Sequence, residues 1–234
     1  MDELIADQLK PELPDAVIGR DIIVLQQTGS TNDAILQVIS PGGVAVSLGR
    51  RSLGEGGRSP STTEGLVVFA EHQTAGRGQR GNRWESTAGK GLWFSILLRP
   101  KIHLSDSGQL TIWAIEAMTE VIRTEWSLEP VIKLPNDVQL FGRKLAGVLV
   151  EMRAQNKAAH VAVVGIGINM NQSREDFPVE LRDRAISIAM AVGRQVDRQK
   201  FARALLQNLD LTYREKFSRA VAVVNSSLSS DSQS

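Results

Sequence analysis

The chain has 234 residues, 42% of them hydrophobic, with 27 Lys and Arg against 26 Asp and Glu for a net charge of +1. That length supports one large domain with a sizeable core, and the near-neutral balance argues against a general nucleic-acid coat or a membrane-surface protein. There is no cysteine, which excludes a disulfide framework, thiol catalysis and thiolate metal sites and fits a cytoplasmic protein.

Residues 1–20 carry Pro11 and Pro14 and read as an N-terminal arm with a short helix at most. Their acidic start is unlike a signal or transit peptide, and no apolar run in the chain approaches the ~18 residues of a membrane span. Ile22-Ile23-Val24-Leu25 reads as a strand from its β-branched content. Ser30 or Thr31 can cap a helix that starts near Asn32. The same hydroxyls and amide at a helix start also suit a ligand, and both readings stand at this point. Gly, Ser and Pro make up 14 of the 26 residues from 40 to 65, so that span reads as a long flexible loop. Leu66–Ala70 is a buried strand, and it leads into the stretch that organises the chain.

Gly76 to Trp84 reads Gly-Arg-Gly-Gln-Arg-Gly-Asn-Arg-Trp. Glycine lets backbone approach a ligand closely, and arginine offers a fixed fork of donors for phosphate or carboxylate. Between residues 76 and 101, Arg77, Arg80, Arg83, Lys90, Arg99 and Lys101 face Glu85 alone. The literal G-x-G-x-x-G match is not a dinucleotide fingerprint. That motif needs a helix to begin in the loop and an acid about 20 residues on. Here the continuation is poor in helix formers, and no acid lies between Glu85 and Asp106. A P-loop ending and a G-x-S-x-G elbow are also absent. His72, His103 and His160 lack metal-site spacing.

Leu92–Leu98 is a further strand. Ser105 opens a helix to about Glu125, with apolar residues from Leu110 to Ile122 at helical spacing. Val131–Lys133 is a strand, Lys144–Met152 another, and Val161–Asn169 a third, before a capped helix from Asp197 to about Phe217. The serine-rich segment 221–234 reads as a disordered tail. The order predicts an α+β fold, a mixed or antiparallel sheet covered by helices on one side. Lys133, Asn136, Asp137, Lys144 and Asn169 are polar residues in apolar strand contexts. A lysine opening a strand is commonly a snorkelling edge residue. Cations with an Asn-Asp pair able to hold Mg²⁺ also suit phosphoryl or nucleotidyl transfer.

Four motifs together give a family resemblance: Ser30-Thr31-Asn32, the Gly76–Trp84 loop, Lys133-Leu-Pro-Asn-Asp137 followed by Arg143-Lys144-Leu-Ala-Gly147, and Gly165-Ile-Gly-Ile-Asn169. Over residues 22–217 the chain resembles the biotin protein ligases, or biotin–acetyl-CoA-carboxylase ligases. The resemblance implies a catalytic domain over 21–220 of class II aminoacyl-tRNA-synthetase-like fold. It implies protein biotinylation in two steps: biotin and ATP, with Mg²⁺, give biotinyl-5′-AMP, and a lysine of the biotin carboxyl carrier protein domain of a biotin-dependent carboxylase then displaces AMP. Matched to the motifs, Ser30, Thr31 and Asn32 would hold the biotin head group. Gln73, Arg77, Gly78 and Gln79 would hold its carboxylate end. Arg77, Arg80, Lys133, Asn136, Lys144 and Asn169 would bind ATP or the adenylate.

Lys144, helped by Arg77, would be the main catalytic cation, with Asn136 and Asp137 as Mg²⁺ ligands. Asp137 is also read as a base for the incoming lysine. Leu134 stands where the family motif has tryptophan, and Gln79 where some members have arginine. The short segment before the first strand and the early end imply a monofunctional ligase with neither a DNA-binding domain nor the C-terminal SH3-like domain. The expectation is therefore no DNA, no membrane, and a leaning toward a homodimer. The rival readings are a lipoate or octanoate ligase or transferase of the same fold and a non-catalytic biotin- or nucleotide-binding regulator.

Overall fold

A computed structural model describes residues 3–39, 64–154 and 160–218. Most of the loop expected over 40–65, and the tail expected over 221–234, lie outside the described residues. The seven strands β1 (Ile22–Thr28), β2 (Val67–Gln73), β3 (Gly91–Leu98), β4 (Val131–Lys133), β5 (Asp137–Leu140), β6 (Arg143–Arg153) and β7 (Val161–Asn169) form one sheet. Their spatial order is β1-β2-β3-β7-β6-β5-β4. Only β1 and β2 run parallel, because the helix α2 (Thr31–Ile39) intervenes as a crossover. The sheet is mixed, as expected.

The helices do not all lie on one side. In β2 and β3, Val67, Phe69, Leu92, Phe94, Ile96 and Leu98 pack into the large core with α3 (Gly108–Trp126) and α5 (Arg198–Tyr213). The alternate residues Val68 and Leu97, with Val161 and Val163 of β7, pack instead with Ile35 and Leu36 of α2. The period of two along a strand sends successive side chains to opposite faces, so α2 corrects the one-sided expectation. The face it partly covers is the face that carries the candidate site.

α3 begins at Gly108, after a short 3-10 turn at Leu104–Asp106, so Ser105 does not open it as expected. Its residues Leu110, Ala114, Ala117, Met118 and Val121 are buried at helical spacing. The Trp113 indole N–H donates to Thr212 Oγ1 at 2.8 Å, tying α3 to α5. The Asp197 carboxylate accepts from Lys200 N at 2.9 Å and starts α5 as expected. The short helix α4 (Ile188–Val192) was not foreseen.

The arm contains the short helix α1 (Ala6–Leu9) and is sewn onto the domain. Leu9 and Ile18 are fully buried. Asp210 of α5, itself buried, accepts from Val17 N at 2.7 Å and Ile18 N at 2.9 Å. Glu71 of β2 accepts from Leu4 N at 2.7 Å and from Arg198 Nη1 at 2.9 Å.

β4 and β5 form the end of the sheet farthest from β1. The two-residue turn from β5 to β6, Phe141-Gly142, has φ of 50° and 73°. Positive φ at both positions matches the twist of a two-residue hairpin, and Asn-Gly is the favoured pair there. A phenylalanine in that conformation costs about 1–2 kcal/mol, and its side chain is 70% exposed.

Candidate active site

The floor of the site is set by what β7 leaves out. A Cβ on Gly165 would lie 2.4 Å from Asn32 Oδ1, and one on Gly167 would lie 2.5 Å from Trp84 Cε2. Glycine at these two positions lets Asn32 and Trp84 settle against the sheet. Thr31 and Asn32, which open α2, spend their side chains on the sheet rather than on capping. Ser95 Oγ of β3 lies 2.7 Å from Thr31 Oγ1 and 2.6 Å from Asn32 Oδ1. Gln73 Oε1 accepts from Thr31 N at 2.8 Å and from Thr31 Oγ1 at 3.1 Å. Asn32 Nδ2 donates to Glu151 of β6 at 2.5 Å. Ser30, Thr31, Asn32, Gln73 and Ser95 are all buried. Buried hydrogen-bonding side chains without a net charge make a cleft that selects ligands able to pair with them.

The Gly76–Trp84 stretch folds back on itself. Gly78 N donates to Asn82 O at 2.7 Å and Trp84 N to Gly76 O at 3.0 Å, around one 3-10 turn at Gln79–Gly81. No helix starts there, in keeping with the rejection of a dinucleotide fingerprint. Arg77 stands at the mouth of the polar cleft. Its guanidinium forks onto Asp33, with Nη2 to Oδ1 at 2.8 Å, and reaches Glu151 at 3.3 Å. The hydrogen bond from Arg77 holds the Asp33 carboxyl below its ordinary range, and Asp33 in turn raises Arg77.

Lys144 is where two clefts meet. Ser30, Thr31, Asn32, Gln73, Arg77, Trp84 and Asn136 line the first together with Lys144. Arg83, Lys133, Asp137, Asn169, Phe177 and Arg184 line the second, again with Lys144. Its ammonium sits 2.7 Å from Asp137 Oδ1 and 5.3 Å from the centroid of the Trp84 ring. The lysine's backbone is fixed on its open side. Lys144 N donates to Arg184 O at 2.7 Å, and Ile186 N donates to Lys144 O at 3.0 Å. Asn169 Nδ2 reaches Lys144 O at 3.4 Å and Ile186 O at 3.1 Å, so its amide nitrogen is engaged in holding that strand. Asn136 Nδ2 donates to Val148 O at 3.1 Å.

The structure thus brings Ser30, Thr31, Asn32, Gln73, Arg77, Gly78, Asn136 and Lys144 to the first cleft, and Lys133, Asp137 and Asn169 to the second. Gln79 and Arg80 line neither; Arg80 is exposed, with φ of 57°. Trp84, Ser95, Asp33 and Glu151 were not foreseen as site residues. Ser95 could have been suspected as the lone hydroxyl in the apolar run Leu92–Leu98, and Glu151 as the lone acid of β6. Among the described residues no group of three or more His, Asp or Glu could hold a metal ion.

Residues 47–169 match the Biotin/lipoate A/B protein ligase family, and the chain belongs to that family. It is 31% identical over 218 residues to the biotin–[acetyl-CoA-carboxylase] ligase of Mycobacterium tuberculosis, covering 87% of this chain and 72% of that one. It is 40% identical over 152 residues to the bifunctional ligase/repressor BirA of Bacillus subtilis, covering 65% of this chain and 47% of that one. The chain thus spans about half the length of several curated relatives it matches. Among solved structures, the biotin protein ligase from Aquifex aeolicus in complex with biotin and ATP superposes with a TM-score of 0.64. It is 30% identical, over 85% of this chain and 73% of that one.

Proposed function

We infer that the chain joins biotin to a lysine of biotin carboxyl carrier protein, the carrier domain of a biotin-dependent carboxylase, through biotinyl-5′-AMP made from biotin and ATP. The observation that carries this reading is the place of Lys144, whose ammonium borders both the cleft floored by buried, uncharged hydrogen-bonding side chains and the second cleft, where Lys133 and Arg184 stand. A carboxylate ending in the first and a nucleotide phosphate in the second would meet at that charge.

In the first step a biotin carboxylate oxygen bonds to the α-phosphorus of ATP, and the bond to the β-phosphate oxygen breaks, releasing pyrophosphate. No group on the protein attacks. Charge grows on the phosphate oxygens, and Lys144 and Arg77 are the fixed cations placed to meet it. In the second step the carrier lysine's nitrogen bonds to the acyl carbon, AMP leaves with the bonding electrons, and the amine's proton passes to Asp137. Asp137, in the second cleft, offers one carboxylate, while Asn136 lines the first cleft with its amide nitrogen on Val148 O and has its amide oxygen to add. That suits magnesium, which keeps waters and takes further ligands from nucleotide phosphates; bound there, it would neutralise phosphate charge. Asn169 holds the strand that presents Lys144.

Biotin is preferred over lipoate because of the first cleft's floor. A ureido ring carries donors and acceptors that can pair with Ser30, Thr31, Asn32 and Gln73. A dithiolane ring would leave them unpaired, and sites built to hydrogen-bond a ligand reject analogues lacking the partner strongly. The test is incubation with ATP, Mg²⁺, a carrier domain and either biotin or lipoate, read by mass spectrometry of the carrier lysine. Biotinylation is expected; lipoylation alone would overturn the choice. Binding of biotin and ATP without pyrophosphate release would instead support a non-catalytic regulator.

A further inference from the structure

Resting on that reading, we propose that the β4–β5–β6 corner is the docking platform for the acidic protein domain that presents the acceptor lysine. Two of the large apolar side chains exposed among the described residues flank the β5–β6 turn, Val131 at 61% and Phe141 at 70%, while Ile132 at 37% faces the other side of β4 and Leu134 at 67% lies at the other end of β5. β4 is the last strand of the sheet, and no described strand pairs with its outer edge. Exposed apolar groups clustered at a strand edge are a liability unless a partner covers them.

The corner also adjoins the chemistry. Val131 pairs with Gln139 and Lys133 with Asp137. Gln139, Lys133, Asp137 and Gly142 all line the cleft that Lys144 shares. Register therefore places Val131 on the same face as that cleft, and the turn that presents Phe141 forms part of its rim.

Phe141 is the sharpest sign. The turn requires positive φ at this position, where asparagine would be relaxed, yet an aromatic occupies it and stands in solvent. Aromatic anchors that project from a rigid turn beside a polar rim are what protein interfaces use as hot spots. The rim here is cationic. Among the described residues neither Lys133 nor Arg184 has a carboxylate partner within ion-pair distance, whereas the nearby Asp183 is paired with Arg174 at 2.6 Å. Apolar anchors flanked by unpaired cations fit a partner with an apolar spot in an acidic surface.

Phe141→Asn removes the aromatic and gives the turn its favoured residue, so the variant is expected to fold at least as well as the native protein. Val131→Thr keeps a β-former at the edge. Each is tested with the biotin carboxyl carrier domain of acetyl-CoA carboxylase as acceptor. Pyrophosphate release without the carrier should be unchanged. KM for the carrier should rise about tenfold for Phe141→Asn, the size expected on losing one aromatic anchor, with kcat little altered, and added salt should raise KM for the native protein. An unchanged KM in an active Phe141→Asn variant would overturn the platform alone. So would an unchanged KM together with a dimer-to-monomer change in sedimentation, which would assign the corner to a second copy of the chain. If the native protein releases no pyrophosphate and transfers no biotin, the proposed function fails and takes the platform with it.

Discussion

Lys144 Nζ and Asp137 Oδ1 lie 2.7 Å apart within one hairpin, the lysine near the start of β6 and the aspartate at the start of β5. The pair holds a cation at the junction of two clefts without leaving it bare. Removing the cation should hurt most where phosphate charge develops. Lys144→Ala is expected to slow adenylate formation by about 10²–10³-fold, read as biotin-dependent ATP–pyrophosphate exchange. Lys144→Arg keeps the charge but moves it, and should recover only a small part. Asp137→Asn should depress transfer to the carrier more than exchange. Equal loss in both assays would remove Asp137 from the second step.

Ser95 is fully buried and links Thr31 to Asn32. Ser95→Ala leaves those partners short of a hydrogen bond and should cost about 1–3 kcal/mol of stability, measured by urea denaturation. Biotin affinity should fall in the same variant by titration calorimetry, while ATP affinity changes little.

Gly165→Ala tests the close approach of Asn32. The new methyl would lie 2.4 Å from an oxygen that Ser95 already holds, and the same side chain is anchored on its other end by Glu151. Neither anchor lets it retreat easily. The expected cost is about 1–3 kcal/mol, with biotin binding lost before the fold is. A variant that binds biotin normally would show that Asn32 does not face the ligand.

Asp33 gives a pH dependence. Its carboxyl is held below its ordinary value near about 4 by the Arg77 hydrogen bond. A depressed folded-state value means the unfolded chain takes up the proton first as pH falls. The stabilisation is therefore fully present above about pH 4 and is lost as pH drops through the lower folded value. Because Asp33 is partly exposed, the effect is modest and screened by salt. The Tm difference between native protein and Asp33→Asn should be constant near neutrality and shrink in acid. A difference that grows in acid would contradict the assignment.

Much of the fold was legible because its signals are local. β7 is an apolar run rich in β-branched residues, β2 opens on one and β3 is apolar but for Ser95 and its opening glycine, and Asp197 marks the start of α5. The Gly76–Trp84 stretch could be denied a helix because its continuation to Gly91 is poor in helix formers. The site was legible in part. Lys144 stands out as a polar residue in an apolar strand context, whereas Ser30-Thr31-Asn32 reads equally well as a helix cap and points to a ligand only in company with the other motifs. Ser95 and Glu151 stand out less, because their partners lie 63 and 119 positions away in the chain and no periodicity links them. The side on which α2 lands was hidden for a related reason. Alternation in β2 and β3 is masked when both faces are buried, so the run reads the same whichever face a helix covers.

The buried carboxylate of Asp210 meets the backbone of Val17 across 193 positions, and that contact orders events in the life of the chain. The arm is made long before α5, and although Glu71 of β2 can already hold Leu4, the anchors that Asp210 offers to Val17 and Ile18 exist only once α5 has been made. Contacts this distant in sequence are slow to form, so the part of the cover over Leu9 and Ile18 that α5 supplies comes last. The arm's docking is therefore complete only after translation has passed residue 210, and a chain halted earlier would lack the carboxylate that holds Val17 and Ile18.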